Sequence, residues 1–181
     1  MNTQIERMVQ ELYDRQAIRD QVNNYCRGVD RMDRELLSSV YHADAIDDHG
    51  HFTGGVDGFI DWAFGYHGVY QDAHQHIVTN HTCELDGDVA HAETYWMFVG
   101  RNKQAPMLTL SGGRYIDRFE KRNGEWKIAV RKCVVDWGGG ASDVFHSAEV
   151  LAAFAAVGIT ARDRSDVSYE RPLTVNKSRI D

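Results

Sequence analysis

Residues 74–137 read HQHIVTNHTCELDGDVAHAETYWMFVGRNKQAPMLTLSGGRYIDRFEKRNGEWKIAVRKCVVDW, and this stretch decides the fold. Its long alternating segments predict strands at His74–Leu85, Val89–Arg101, Met107–Lys121 and Trp126–Trp137. Asp86-Gly87-Asp88 separates the first pair and Asn123-Gly124 the last pair. Asp-Gly and Asn-Gly tolerate the positive φ of a tight hairpin, so both read as turns. Upstream the period changes. Ile5, Met8, Leu12, Ile18, Val22, Tyr25, Cys26 and Val29 recur mostly at steps of three and four, which predicts one helix over the first 29 residues. Asp30 or Asp33 can cap a second short helix, RELLSSVY, packing through Leu36, Leu37 and Val40. Ala43–His51 reads as a strand or irregular segment, Gly54-Gly55 as a turn, and Val56–Gly68 as a helix. Helices first and a strand meander afterwards predict an α+β fold. The expected form is a cone-shaped barrel: a curved, mostly antiparallel sheet wrapped around N-terminal helices, with a pocket at its open end. The cone spans 1–137. The tail, 138–181, is expected to leave the strand at Gly138-Gly139-Gly140, to form a short helix at His146–Val157 and to run extended from 161, packed on the domain or on a neighbouring subunit.

The 181 residues suit a single domain with a full core. The net charge of −7 and the lack of any Lys/Arg block argue against nucleic acid and anionic membrane as partners. No run of about 18 apolar residues is present to cross a membrane. The polar, helical start does not resemble a signal peptide. Cys26, Cys83 and Cys133 are odd in number and form no CxxC pair, so neither a disulfide framework nor a thiolate zinc site is expected. The expectation is a reduced cytoplasmic protein. Its last strand has a second apolar face (Ile128, Val130, Val134), which suits helix packing or a homodimer or homotrimer.

Three polar residues sit where packing does not need them. Arg131 lies on a strand face with Ala129, Cys133, Val135 and Trp137. A buried guanidinium there must pair with a carboxylate, as on a helix, or face a polar cavity. Asp30 ends the first helix, where a negative charge is mildly unfavourable, although it could cap the next one. His76 shares a strand face with His74, Val78, Asn80 and Thr82. A further cluster, His42, Asp44, Asp47, Asp48, His49 and His51, lacks any fixed metal-ligand spacing, so Asp47 and His49 are read as lining the pocket mouth and no metal is expected. Phe59, Trp62, Phe64, Trp96, Phe98 and Trp137 are candidate pocket walls. No GxGxxG, Walker or GxSxG sequence is present.

The segments YCRGVDRMD, VYHADAIDDHG, HQHIVTNHTCELDGDVAHAETYW and GGRYIDRFEKRNGEWKIAVRKCVVDW together resemble the SnoaL-like branch of the nuclear transport factor 2-like superfamily over roughly residues 5–137. That superfamily includes scytalone dehydratase, hexachlorocyclohexane dehydrochlorinase and the bile acid 7α-dehydratase. The resemblance implies a cofactor-free lyase acting on a hydrophobic, cyclic or aromatic hydroxylated small molecule. It implies an Asp30–His76 catalytic pair, with Tyr25 and Arg131 also catalytic and His74 or His81 as alternative histidines. Asp47, His49, Trp62, Trp96, Phe98 and Trp137 are then expected to bind substrate. The superfamily also holds lyases that remove formaldehyde from lignin-derived diaryl compounds, isomerases of the ketosteroid type, polyketide cyclases and non-catalytic small subunits of ring-hydroxylating dioxygenases. Fold alone does not choose among them.

Overall fold

A computed structural model describes residues 3–142 and 161–172 of the chain. The element order is α1 (Thr3–Asp30), α2 (Arg34–Ser39), β1 (Tyr41–Asp48), β2 (Thr53–Gly55), α3 (Val56–Tyr70), β3 (Gln71–Asp86), β4 (Val89–Asn102), β5 (Leu108–Arg122) and β6 (Glu125–Ala141). The strands form one six-stranded sheet in the order β2-β1-β6-β5-β4-β3. All neighbours are antiparallel except β1 and β6, which run parallel. The architecture is the expected α+β cone, left open because β2 and β3 remain as edges.

Helix α1 packs against the inner face through its second half only. Ile18, Val22, Tyr25, Cys26 and Val29 are buried, whereas Ile5, Met8 and Leu12 of the same predicted stripe are more than half exposed. Asp14 marks the change. Its carboxylate accepts bonds from the Trp126 indole (2.8 Å) and from Lys121 Nζ (2.9 Å), tying the helix to β5 and β6. Gly28 does not bend the helix. It lets Leu37 cross closely, since a Cβ there would lie 2.9 Å from the Leu37 backbone. The helix therefore runs on to Asp30, and Asp33 caps α2 by accepting the Leu36 N–H at 3.0 Å, an arrangement worth about 1 kcal/mol.

The sheet differs from a plain alternating ladder at two points on β6. The hairpin at Asn123-Gly124, both at positive φ, sets Arg122 opposite Glu125 and Phe119 opposite Ile128. A bulge at Ala129 then puts Arg118 opposite Val130 and Asp117 opposite Arg131. Ile128 is fully buried in the core, and the bulge separates it from Val130 and Val134, with which it was expected to share a face. A second bulge at Asp136 puts Gly113 opposite Val135 but Gly112 opposite Trp137. Bulges of this kind re-aim side chains and sharpen local bending. The three glycines after Trp137 were expected to end the strand. They continue it instead, pairing with Thr109, Leu110 and Ser111. The expected helix at 146–157 lies outside the described residues. Beyond it, a 3₁₀ turn at Val167–Tyr169 docks on the corner between α1 and α2: Tyr169 Oη donates to Asp33 at 2.8 Å and Arg27 lies 4.6 Å over the Tyr169 ring.

Candidate active site

Asp30 closes α1 with its carboxylate directed at β3. It accepts the backbone N–H of His76 through both oxygens (3.1 and 3.0 Å) and the ring Nδ1–H of His76 at 2.7 Å. The strand N–H offsets what the helix terminus denies an anion there. Because Nδ1 donates to Asp30, the neutral ring is held in the tautomer whose Nε2 is a free acceptor. No described residue hydrogen-bonds that Nε2. His76 lines a cavity of about 300 Å³, within the range of small-molecule sites. Its walls are Tyr25, Phe59, Trp62, Trp96, Phe98 and Tyr115, and its polar groups include His49, His51, His67, Thr109 and Ser111. A larger groove, about 600 Å³, lies between α2, β1 and α3, but its one histidine, His42, is tied to the Glu120 carbonyl. The carboxylate-backed histidines are in the smaller cavity.

The structure brings Asp30, His76, Tyr25, His49, Trp62, Trp96 and Phe98 to this cavity and keeps four expected residues, Arg131, Trp137, Asp47 and Phe64, off its lining. Arg131 does not face it. The guanidinium is fully buried, forms a bidentate pair with Asp117 on β5 (2.7 Å for both bonds) and lies 4.1 Å from the centres of the Tyr25 and Tyr115 rings. Burial opposes its charge, but the Asp117 carboxylate outweighs that and holds its pKa well above the usual value. The cation supports the tyrosines from behind the wall, and its partner is on a strand instead of a helix. Trp137 is turned out by the Asp136 bulge, covers Gly112 on the outer sheet face and is half exposed. Asp47 is buried behind His49, accepting from its Nδ1–H and from the Tyr41 hydroxyl at 2.6 Å. Phe64 packs at the margin of the core and does not line the cavity. Gly113 serves the wall by its lack of a side chain: a Cβ there would meet the Val134 carbonyl oxygen at 1.9 Å and the Trp96 ring at 2.9 Å.

Tyr115, Asp117, Tyr41 and His67 belong to this arrangement and were not singled out from the sequence. Tyr115 and Asp117 share one face of β5, a period-two signal that was available. The His67 signal was a histidine two turns after Phe59 and Ile60 on α3.

His67 and His74 stack with ring centres 4.0 Å apart. His67 Nδ1–H donates to Gln71 Oε1 at 2.9 Å and His74 Nε2–H donates to the Val29 carbonyl at 3.1 Å. Burial, then the neighbouring His76, lowers the His67 pKa to about 4. Burial, then His67, lowers that of His74 to about 3. Both rings are neutral in the fold and would charge near pH 6.5 when unfolded. The unfolded chain thus binds more protons below pH 6.5, and their contribution to stability is complete above that pH and lost as pH falls toward 4 and 3. We expect urea midpoints to fall steadily from pH 6.5 to 4, with His67 alone accounting for on the order of 3 kcal/mol. His67→Gln should flatten that slope; an unchanged slope would remove His67 as its cause.

Asp30, His74 and His76 each offer one donor atom within 4.8 Å of the others. His74 Nε2 carries the proton it gives to Val29, and a protonated ring nitrogen does not ligate a metal, so the set suits proton chemistry better than metal binding.

The profile of the SnoaL-like domain matches residues 10–132. The chain belongs to the SnoaL-like family. This SnoaL-like chain matches no curated protein in sequence. Among solved structures it is similar to LinA, with a TM-score of 0.71 and 22% identity over 77% of this chain and 97% of that one. It is also similar to hexachlorocyclohexane dehydrochlorinase LinA-type3 from Novosphingobium barchaimii LL02 (TM-score 0.70, 21% identity, 77% and 97%). A protein from Novosphingobium aromaticivorans DSM 12444, provisionally named a scytalone dehydratase, matches with a TM-score of 0.67 and 18% identity over 77% of this chain and 99% of that one. At these identities the likeness is one of fold. The SnoaL-like fold is thus common to this chain and to eliminating enzymes. Among the described residues no helix is long and apolar enough to cross a membrane.

Proposed function

We propose that the chain is a cofactor-independent lyase acting on a hydrophobic, cyclic or aromatic hydroxylated substrate, with His76 as general base and Asp30 as its orienting carboxylate. The observation that carries this reading is the 2.7 Å Asp30–His76 bond at an aromatic-walled cavity. His76 Nε2 takes a proton from the carbon beside the leaving group, and the freed pair forms the double bond as the bond to the leaving oxygen breaks. Such a base contributes about 10²–10⁴-fold. Tyr25 lines the same cavity and supplies a proton donor. Burial, opposed by Arg131, keeps its phenol pKa well above the usual value, so it is neutral and retains its proton. Arg131 touches Tyr25 and acts through it. The kinship of fold with a dehydrochlorinase and a named dehydratase supports elimination over other uses of the cone.

The test is to incubate the protein with a panel of hydroxylated and halogenated cyclic ketones and diaryl alcohols and to read product masses. Loss of water, hydrogen halide or formaldehyde supports a lyase and names its leaving group. Conserved mass with a shifted double bond makes the same base an isomerase. No turnover by wild type across the panel counts against both.

We also propose a cytoplasmic homodimer or homotrimer, assembled through the outer sheet face. Ile77, Met97, Gly112 and Trp137 lie directly opposite one another across β3, β4, β5 and β6. Ile77, Met97 and Trp137 are 40–49% exposed, with Tyr95 and Ile116 beside them. Met97→Glu is expected to leave only monomer in light scattering; an oligomer that survives it would place the interface elsewhere.

A further inference from the structure

We propose that His49, backed by Asp47, is a second proton carrier of the same cavity and serves Tyr25. The inference rests on the lyase reading for its use, but not for its geometry. Asp47 and His49 repeat the design of Asp30 and His76, on the end of β1 and the residue that follows it instead of α1 and β3. Asp47 is 1% exposed and its two oxygens are taken by His49 Nδ1–H and by the Tyr41 hydroxyl. That fixes the ring as firmly as Asp30 fixes His76. The second nitrogen, Nε2, lies 3.3 Å from the Tyr25 hydroxyl. The ring itself lines the cavity, stacked on Phe59 at 4.8 Å. A buried carboxylate behind a histidine is not needed to bind an apolar substrate. It is needed to hold one tautomer and to balance an imidazolium.

The elements around His49 keep their own protons fixed near neutral pH. On α1, β1 and β5, burial raises the phenols of Tyr25, Tyr41 and Tyr115 well above the usual value. On β6, burial pushes the Cys133 thiol up to about 12 and Arg131 stays cationic. On α3, burial lowers His67 to about 4. Asp48, next in sequence, is held low by bonds from the Gly50 N–H and Thr53. His51 stands at the same rim, its backbone N–H donating to the His49 carbonyl at 2.8 Å. Among the histidines that line the cavity, His49 and His76 are the ones backed by a carboxylate.

The balance is as follows. The step requires His76 with Nε2 free and His49 with a proton on both ring nitrogens. His76 Nε2 takes the proton from carbon as the bond to the leaving hydroxyl breaks. Tyr25 gives its phenolic proton to that oxygen, and His49 Nε2–H replaces it. Water departs with His76 protonated and His49 neutral, and one proton returned from His76 to His49 through solvent restores both.

The test uses the full chain labelled with ¹⁵N-histidine, followed by long-range proton–nitrogen correlation from about pH 9 to pH 5, the span in which a histidine can switch. The expected result is a neutral His49 with its proton on Nδ1 that gains a second proton on Nε2 as pH falls. H49Q should delete that signal and leave His76 unchanged, and D47N should move the His49 proton off Nδ1. If D47N does not fold, Tyr41→Phe, which removes only the second bond to Asp47, should shift the same signal. A neutral ring with its proton on Nε2, or one that gains no second proton, overturns the proposal. With a substrate found by product mass, H49Q should lower kcat about 10–100-fold and remove the alkaline limb of its pH profile, and an unaltered profile would also overturn it. A chain that turns over no such substrate yet shows the His49 titration sinks the lyase reading and keeps the proton carrier; turnover without the titration sinks only the carrier.

Discussion

His76→Ala is expected to lower turnover by about 10²–10⁴-fold, the range a positioned base supplies, and to leave the thermal unfolding midpoint close to wild type. The ring is about one-tenth exposed, with Phe98 at 5.1 Å between ring centres, but it faces the cavity, so its removal enlarges a space that is already open. Asp30→Asn separates orientation from basicity. The amide can still accept the His76 backbone N–H, but it no longer favours Nδ1–H over Nε2–H, and the wrong tautomer presents a donor to the substrate carbon. Its loss in kcat should approach that of His76→Ala while KM changes little, because neither group is asked to bind the ground state. A variant at His74 provides the control. His74 Nε2 is occupied by the Val29 carbonyl and its ring by His67, so His74→Gln should cost stability and spare turnover. Full activity in His76→Ala would end the assignment.

The fold was legible because its two periods are unmixed: steps of three and four up to residue 29, alternation after residue 74, and turn dipeptides where the hairpins close. The residues themselves marked Asp30 at a helix end and histidines on one face of a strand as poorly explained by packing; the choice of His76 over His74 or His81 came from the family resemblance. The errors trace to what alternation cannot register. A bulge adds one residue without changing composition, so Trp137, correctly phased with Arg131 and Val135 by counting, is turned outward by Asp136. The cluster at 42–51 showed its histidines and acids but not its depth. Because β1 pairs in parallel with β6, Asp47 is covered on both sides, and a residue expected at the mouth became the support of one.

The other large effect belongs to Arg131 and Asp117. An unbroken ladder from Asn123-Gly124 would set Asp117 opposite Val130, and only the bulge at Ala129 brings the two charges together. Both side chains are fully buried, and Arg131 Nη1 already has no hydrogen-bond partner among the described residues, so losing Asp117 would leave the guanidinium without its bidentate partner. Asp117→Ala should therefore cost about 3–5 kcal/mol, the penalty for stranding a buried charge. For a chain of this length that corresponds to a midpoint lowered by roughly 6–20 °C. Removing both charges together is a different matter. Arg131→Met with Asp117→Leu eliminates the desolvation cost on both sides, and such replacements are often neutral or stabilising. The double variant should thus recover most of the stability that Asp117→Ala loses. Its turnover should remain depressed, since the tyrosine wall would have lost the cation lying 4.1 Å from Tyr25. Recovery of both stability and turnover would reduce the pair to a packing element; recovery of stability alone would show that the fold retains this buried charge for the sake of Tyr25.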